Sequence, residues 1–136
     1  GVVIHLIAGI VTEKILSKLS YKNLKILILG YKEFGRGINY YSLSVKEKID
    51  YLKENVLQIS KGFKVLSFDN LAIDQLEIKK QIPKADFDRY YMGDDGQFTM
   101  YIDLVKKQFA INSVSEERFA LLDDITEMFK IVKNKQ

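Results

Sequence analysis

The sequence predicts an α/β fold in which three βα units form a parallel half-barrel or an open sheet, followed by a β-hairpin and a helix. Short apolar runs, each ending at a glycine or a polar residue, alternate with segments of helical periodicity. After Pro83 a strong turn motif precedes alternating polar and apolar residues. We expect a single domain over residues 1–136, with βα repeats at 1–82 and a C-terminal extension at 83–136.

The first βα unit begins with a strand from Val2 to Ala8, a β-branched apolar run that ends at Gly9. Such a run is typical of a strand covered on both faces of a parallel sheet. Thr12 is suited to cap the following helix. The inner face of that helix is expected to carry Ile15, Leu16 and Leu19. A second apolar strand covers Lys25 to Leu29 and ends at Gly30.

A loop from Tyr31 to Leu43 separates this strand from the helix with the clearest periodicity. Ser44 and Glu47 match a capping box, and Gly62 marks the end of the helix. The apolar positions recur at helical spacing: Val45, Ile49, Leu52, Val56 and Ile59. A third strand covers Phe63 to Phe68.

The third strand leads into a helix for which Asn70 is the expected cap, and which must end before Pro83. The apolar residues of this helix are Leu71, Ile73 and Leu76. Strands and helices alternating in this way predict right-handed crossovers and a parallel sheet.

The extension opens with the turn Asp94-Asp95-Gly96, followed by a strand at Phe98–Ile102 and an antiparallel return at Gln108–Ile111. Asp124, with Glu127 three residues later, resembles the N-terminal cap of a closing helix. The apolar stripe expected to form its core side is Ile125, Met128, Phe129 and Val132.

Composition excludes several classes of function. The net charge is +3, from 21 basic and 18 acidic residues interspersed along the chain, so nucleic-acid binding is not expected. The absence of cysteine excludes disulfides and thiolate-ligated clusters within this sequence. The apolar run Val2–Val11 lacks a basic flank and is too short to span a bilayer, so we expect a cytoplasmic protein without a membrane partner.

Three segments carry a resemblance to a known family. The run Leu29–Gly37, L-G-Y-K-E-F-G-R-G, follows an apolar strand and is preceded by H-L-I-A-G at His5–Gly9. Ser67–Ala72 adds a strand end with a helix start, and Tyr91–Asp103 adds a glycine turn with a strand. Together they resemble the C-terminal half of the radical S-adenosylmethionine (radical SAM) core barrel.

This resemblance implies that the three predicted strands are strands four to six of a six-stranded partial barrel. In that family a C-x-x-x-C-x-x-C loop in the N-terminal half binds a [4Fe-4S] cluster, used together with S-adenosylmethionine. The chain has no such loop. We therefore expect part of a longer parent that acts on a small-molecule or peptide substrate, with no cofactor in this chain and no activity alone. The expected partner is the missing N-terminal half or a second copy of the chain.

In a barrel of parallel strands, binding residues lie at the carboxyl ends of the strands. The candidates for cofactor or substrate binding are His5, Tyr31, Lys32, Arg36 and Asp69. Tyr31 could stack on an adenine or substrate ring, or it could pack the barrel mouth. Lys32 and Arg36 could bind a carboxylate or phosphate, or they could be solvated in a flexible loop.

The other two candidates also have alternative interpretations. His5 lies mid-strand on the face opposite Ile4 and Leu6, where it is either a hydrogen-bonded core residue or an interior contact. Asp69 is a possible ligand at a strand end, beside the expected cap Asn70. A lone histidine without neighbouring carboxylates or cysteines makes a poor metal site, so no metal ligand is assigned.

No catalytic residue is assigned, because no nucleophile–base set, P-loop or G-x-G-x-x-G motif is present. The alternative function comes from another class. It is a non-catalytic α/β interaction module that self-associates through an open sheet edge.

Overall fold

The computed structural model describes residues 1–135. The chain packs as two compact units, Gly1–Arg89 and Tyr90–Gln136. A further helix, in which Phe87 is buried, follows Pro83. The predicted mixture of helices and strands is confirmed in both units.

The first unit contains an open, three-stranded parallel sheet in the order β1-β2-β3. Its strands are β1 (Val3–Ile7), β2 (Lys25–Leu29) and β3 (Val65–Phe68). The predicted parallel pairing is confirmed, with Ile4 opposite Ile26 and Ile26 opposite Leu66. The helices are α1 (Glu13–Leu19), α2 (Arg36–Tyr40), α3 (Leu43–Ser60), α4 (Asn70–Gln75), α5 (Ile78–Gln81) and α6 (Lys84–Tyr90).

Helices pack against one face of this sheet and form the core of the unit. Ile26 and Ile28 of the central strand are buried there. The helical residues buried with them are Leu16, Leu52, Val56, Ala72, Leu76 and Ile78. The predicted apolar face of α3 is confirmed, whereas Ile15 of α1 is 43% exposed and does not belong to the inner face.

The opposite face of the sheet is open. Val3, His5 and Ile7 alternate with the packed residues of β1 and are exposed. The expectation that this strand is covered on both faces is therefore wrong. The reason is that β1 is an edge strand and α1 and α3 both lie on the side of Ile4 and Leu6.

Two of the predicted helix caps lie at different residues from the caps in the structure. Thr12 caps α1 as expected, with its hydroxyl accepting from the amide of Ile15 at 3.3 Å. Ser42 caps α3, so the box expected at Ser44 lies two residues too late. Asp69 caps α4 in place of Asn70, which is the first residue of the helix.

The second unit is a three-stranded antiparallel sheet with one helix. Its elements are β4 (Tyr101–Asp103), β5 (Gln108–Ala110), β6 (Phe119–Ala120) and α7 (Ile125–Lys133). The predicted hairpin, helix and Asp124 cap are confirmed, while β4 starts later than the expected strand and β6 is an additional strand. Phe109, Met128 and Val132 form the core, and Ile125 is 56% exposed.

Candidate functional site

The candidate site is the edge of the parallel sheet where its strands end. Because the three strands are parallel, the segments that follow them leave the sheet at this edge. Two backbone hydrogen bonds align the segments: the amide of Ala8 donates to Leu29 at 2.8 Å, and that of Asp69 donates to Ile28 at 3.1 Å.

Asp69 joins two elements at this edge. Its Oδ1 accepts from the amide of Gly30, at the end of β2, at 2.9 Å and from the amide of Ala72, in α4, at 2.8 Å. Gly30 is packed so closely that a Cβ there would lie 2.4 Å from Cγ of Leu71. The carboxylate proposed as a ligand therefore holds the backbone of β2 to the start of α4.

Gln75 forms a second clasp in the same place. Its Oε1 accepts from the amide of Tyr31 and its Nε2 donates to the carbonyl of Tyr31, both at 2.8 Å. Gln75 was not among the residues predicted from the sequence. No local pattern could have found it, since 44 positions separate the two partners.

Tyr31 is 5% exposed. The sequence allowed it either to stack on a ligand or to pack against the protein, and its burial fits packing. Its hydroxyl donates to the carbonyl of Gly37 at 2.7 Å, and its ring lies 5.9 Å from that of Tyr41. The buried ring leaves no face for a ligand to stack on. Gly37 is required here, because a Cβ would lie 1.8 Å from the carbonyl oxygen of Lys32.

Lys32 and Arg36 are exposed in the loop that Tyr31 anchors. The ammonium group of Lys32 lies 5.6 Å from the ring centroid of Phe34, within reach of a cation–π interaction. Arg36 begins the short helix α2 after Gly35, whose φ of 57° favours glycine. The amide of Gly37 donates to the carbonyl of Phe34, so it is not available to bind an anion beside Arg36.

The same loop exposes large apolar side chains that the sequence analysis did not single out. Ile38 is 61% exposed, Tyr40 72% and Leu43 71%. They lie within 11 residues of Lys32 in the sequence, so the segment after β2 exposes both apolar and positively charged side chains. The sequence feature that could have indicated these exposed side chains is the run I-N-Y-Y at residues 38–41, between β2 and α3.

His5 lies on the open face of the sheet, opposite Leu27 of β2, as its alternation with Ile4 and Leu6 predicts. Leu27 in turn lies opposite Ser67 of β3, whose hydroxyl donates to the carbonyl of Ile26 at 3.0 Å. His5, Leu27 and Ser67 therefore lie side by side on neighbouring strands. Tyr31, Lys32, Arg36 and Asp69 belong to the strand-end segments instead.

Outside this edge, Tyr51 of α3 is one of the groups with a shifted pKa. Partial burial raises the pKa of its hydroxyl, and the negative charge of Glu13 and a hydrogen bond to it raise it further. Among residues 1–135, no group of three or more His, Cys, Asp and Glu side chains is arranged to hold a metal ion. None of the helices in that range is both long and apolar enough to cross a membrane.

Comparisons of the chain with protein-family models, curated proteins and solved structures give no significant match.

Proposed function

We propose that the first unit supplies three βα units to a partial barrel of the radical SAM type, as the C-terminal part of a longer enzyme. The observation that carries this proposal is the one-sided sheet. Its three parallel strands have helices on one face, while the face bearing Val3, His5 and Ile7 stays open. Barrel strands have this asymmetry, since helices cover the outside and side chains of the other strands fill the inside.

In this proposal the open face lines the barrel interior. Val65 of β3 is 44% exposed there, so further strands would remove apolar surface from water. The polar side chains of that face are Lys25, at the start of β2, and His5 and Ser67, which lie further towards the carboxyl ends of the strands. Lys32 and Arg36 stand at the rim, where their charges would favour a carboxylate or phosphate.

The residues of this chain do not fit the iron–sulfur cluster that the resemblance implies. Thiolate ligands are required and the sequence contains no cysteine. The cluster would belong to the other part of the parent. The role of this chain is accordingly limited to binding and orienting a ligand, and we expect the isolated chain not to cleave S-adenosylmethionine.

The absence of cysteine makes the proposal testable with single-cysteine variants. Ile7→Cys reports on the open face, where the side chain is 44% exposed. Leu57→Cys, on the outer side of α3 at 51% exposure, is the matched control. Both thiols should react with maleimide in the isolated chain, and only the first should become protected in the parent protein.

Sequencing the gene upstream of the Val2 codon identifies that parent. A C-x-x-x-C-x-x-C loop in the same reading frame supports the proposal. Equal reactivity of the two thiols in the parent would contradict it, because the open face would then not be part of a barrel.

A second candidate function is a non-catalytic interaction module that self-associates through an exposed edge strand of the sheet. It is favoured by the position of β1, which pairs on one side only within the described residues. Light scattering of the isolated chain tests it: a concentration-dependent dimer, abolished by Ile4→Pro, is expected if β1 edges pair. A monomer up to millimolar concentration would refute this candidate.

A further inference from the structure

A concentration of positive charge lies at the other edge of the parallel sheet, where the strands begin. Residues 17–25 cover the end of α1, the connection at 20–24 and the first residue of β2, and residues 57–65 cover the end of α3, the connection at 61–64 and the first residue of β3. Backbone hydrogen bonds hold the two connections side by side. The amide of Tyr21 donates to Gly62 at 2.7 Å, and the amide of Lys64 donates to Leu24 at 2.9 Å.

These connections carry basic side chains without acidic ones. Neither residues 14–32 nor residues 55–68 contain an aspartate or glutamate. The lysines concerned, which we call the lysine edge, are Lys18, Lys22, Lys25, Lys61 and Lys64. Four are exposed and Lys25 is partly buried, and no carboxylate of residues 1–135 forms an ion pair with any of them.

An aromatic ring stands among these lysines. Tyr21 is 79% exposed, between Lys18 and Lys22 in the sequence. Its backbone φ is 60°, a conformation that is uncommon for a bulky residue and is held here by the hydrogen bond to Gly62. Asn23 has a similar φ of 57°, so the turn keeps the ring outside the packed core.

We propose that the lysine edge binds single-stranded nucleic acid, with the lysines contacting phosphates and Tyr21 stacking on one base. Grooves for single strands combine cations that follow the backbone with aromatic side chains that bases stack on. Lysine is a point charge without the planar bidentate fork of arginine, which favours contacts to phosphate over the reading of base edges. The binding is therefore independent of base sequence.

The sequence analysis did not expect nucleic-acid binding, because the charges are interspersed along the chain. Folding brings together two lysine-containing segments that are about 40 positions apart in the sequence, and neither segment contains an acidic residue. The lysine edge also lies at the opposite end of the strands from Lys32 and Arg36. The inference thus does not depend on a ligand at Lys32 and Arg36.

Fluorescence anisotropy of a labelled 20-nucleotide poly(dT) or poly(U) strand, titrated with the 136-residue chain, tests the inference. With five phosphate contacts, log K should fall against log salt with a slope of about −3.5. Replacing Lys22, Lys61 and Lys64 together by Gln should weaken binding about 100-fold at 0.1 M salt and reduce the slope by about 2. The control replaces Lys84, Lys106 and Lys133 by Gln, which changes the net charge equally.

Tyr21→Ala should weaken binding roughly 5- to 150-fold, as expected for the loss of one stacked base, while Tyr21→Phe should retain it. Competition with heparin and with phosphatidylserine vesicles identifies the polyanion. Equal losses in the two triple variants, an unaffected Tyr21→Ala variant, or tighter binding to vesicles than to single strands would each overturn the proposal.

Discussion

Replacing Asp69 tests whether its carboxylate is a structural group or a free ligand. In Asp69→Ala the amides of Gly30 and Ala72 lose their acceptor, at 2.9 and 2.8 Å in the native protein. Hydrogen bonds to a charged group contribute about 1.5–3 kcal/mol each, and loss of a helix cap costs about 1 kcal/mol. The hydrogen bond from the Ala72 amide is itself the cap of α4, so the cap is not counted a second time. We expect a total loss of about 2–4 kcal/mol in the free energy of unfolding.

Urea unfolding followed by far-UV circular dichroism measures this loss, and amide hydrogen exchange localises it. Exchange at Gly30 and Ala72 should accelerate in Asp69→Ala, while Asp69→Asn should lose less because its Oδ1 still accepts a hydrogen bond. Asp74→Ala, on the exposed side of α4, is the matched control and should change stability by less than about 0.5 kcal/mol. Asp69→Ala as stable as this control would refute the structural role and restore Asp69 as a candidate ligand.

The remaining predictions concern the same unit and the hairpin. Gln75→Ala should cost about 1–3 kcal/mol in urea unfolding, because it leaves the backbone of buried Tyr31 unpaired; Gln75→Glu should recover only the bond from the amide. Ile26→Ala should cost about 2–5 kcal/mol and Leu27→Ala distinctly less, since Ile26 is fully buried and Leu27 lies on the open face; equal losses would contradict the one-sided core. Hydrogen bonds from the Lys106 amide and, to a lesser extent, from the Val105 amide lower the pKa of Asp103. The carboxylate therefore stabilises the fold fully above the pKa that Asp103 has in the unfolded chain, and this stabilisation disappears as the pH falls through the pKa of the folded protein. The protection factors of the hairpin amides, which are exchange rates corrected for the intrinsic pH dependence, should therefore fall below about pH 4 in the wild type and change little in Asp103→Asn.

The sequence predicted the elements whose periodicity is set by the core. The spacing of Val45, Leu52 and Val56 identified α3, and those residues are buried. The cap of α3 was misplaced because Ser42 and Ser44 are both suitable residues, and only the backbone geometry decides between them. The short helix α2 was not expected, since R-G-I-N-Y has neither a side-chain cap nor a full apolar stripe.

The exposure of β1 could not be predicted from its residues. An uninterrupted apolar run is equally compatible with a strand covered twice and with a strand whose second face awaits another element. His5 is the one polar residue within that strand, and it lies on the face that the structure leaves open. Its alternation with Ile4 and Leu6 was the only local sign that the two faces differ.

The candidate site was only partly predictable, because the polar side chains at the ends of the strands form hydrogen bonds with the backbone. Asp69, Gln75 and the hydroxyl of Tyr31 all hydrogen-bond main-chain groups of the segments after β2 and β3. Such bonds connect residues far apart in the sequence, so no local pattern reveals them. They also fix the loop that carries Lys32 and Arg36, and a fixed loop loses less conformational entropy when a ligand binds. If Arg36 binds an anion as proposed, Gln75→Ala should weaken that binding although Gln75 does not contact the anion, whereas the conservative Arg36→Lys should weaken it without changing stability.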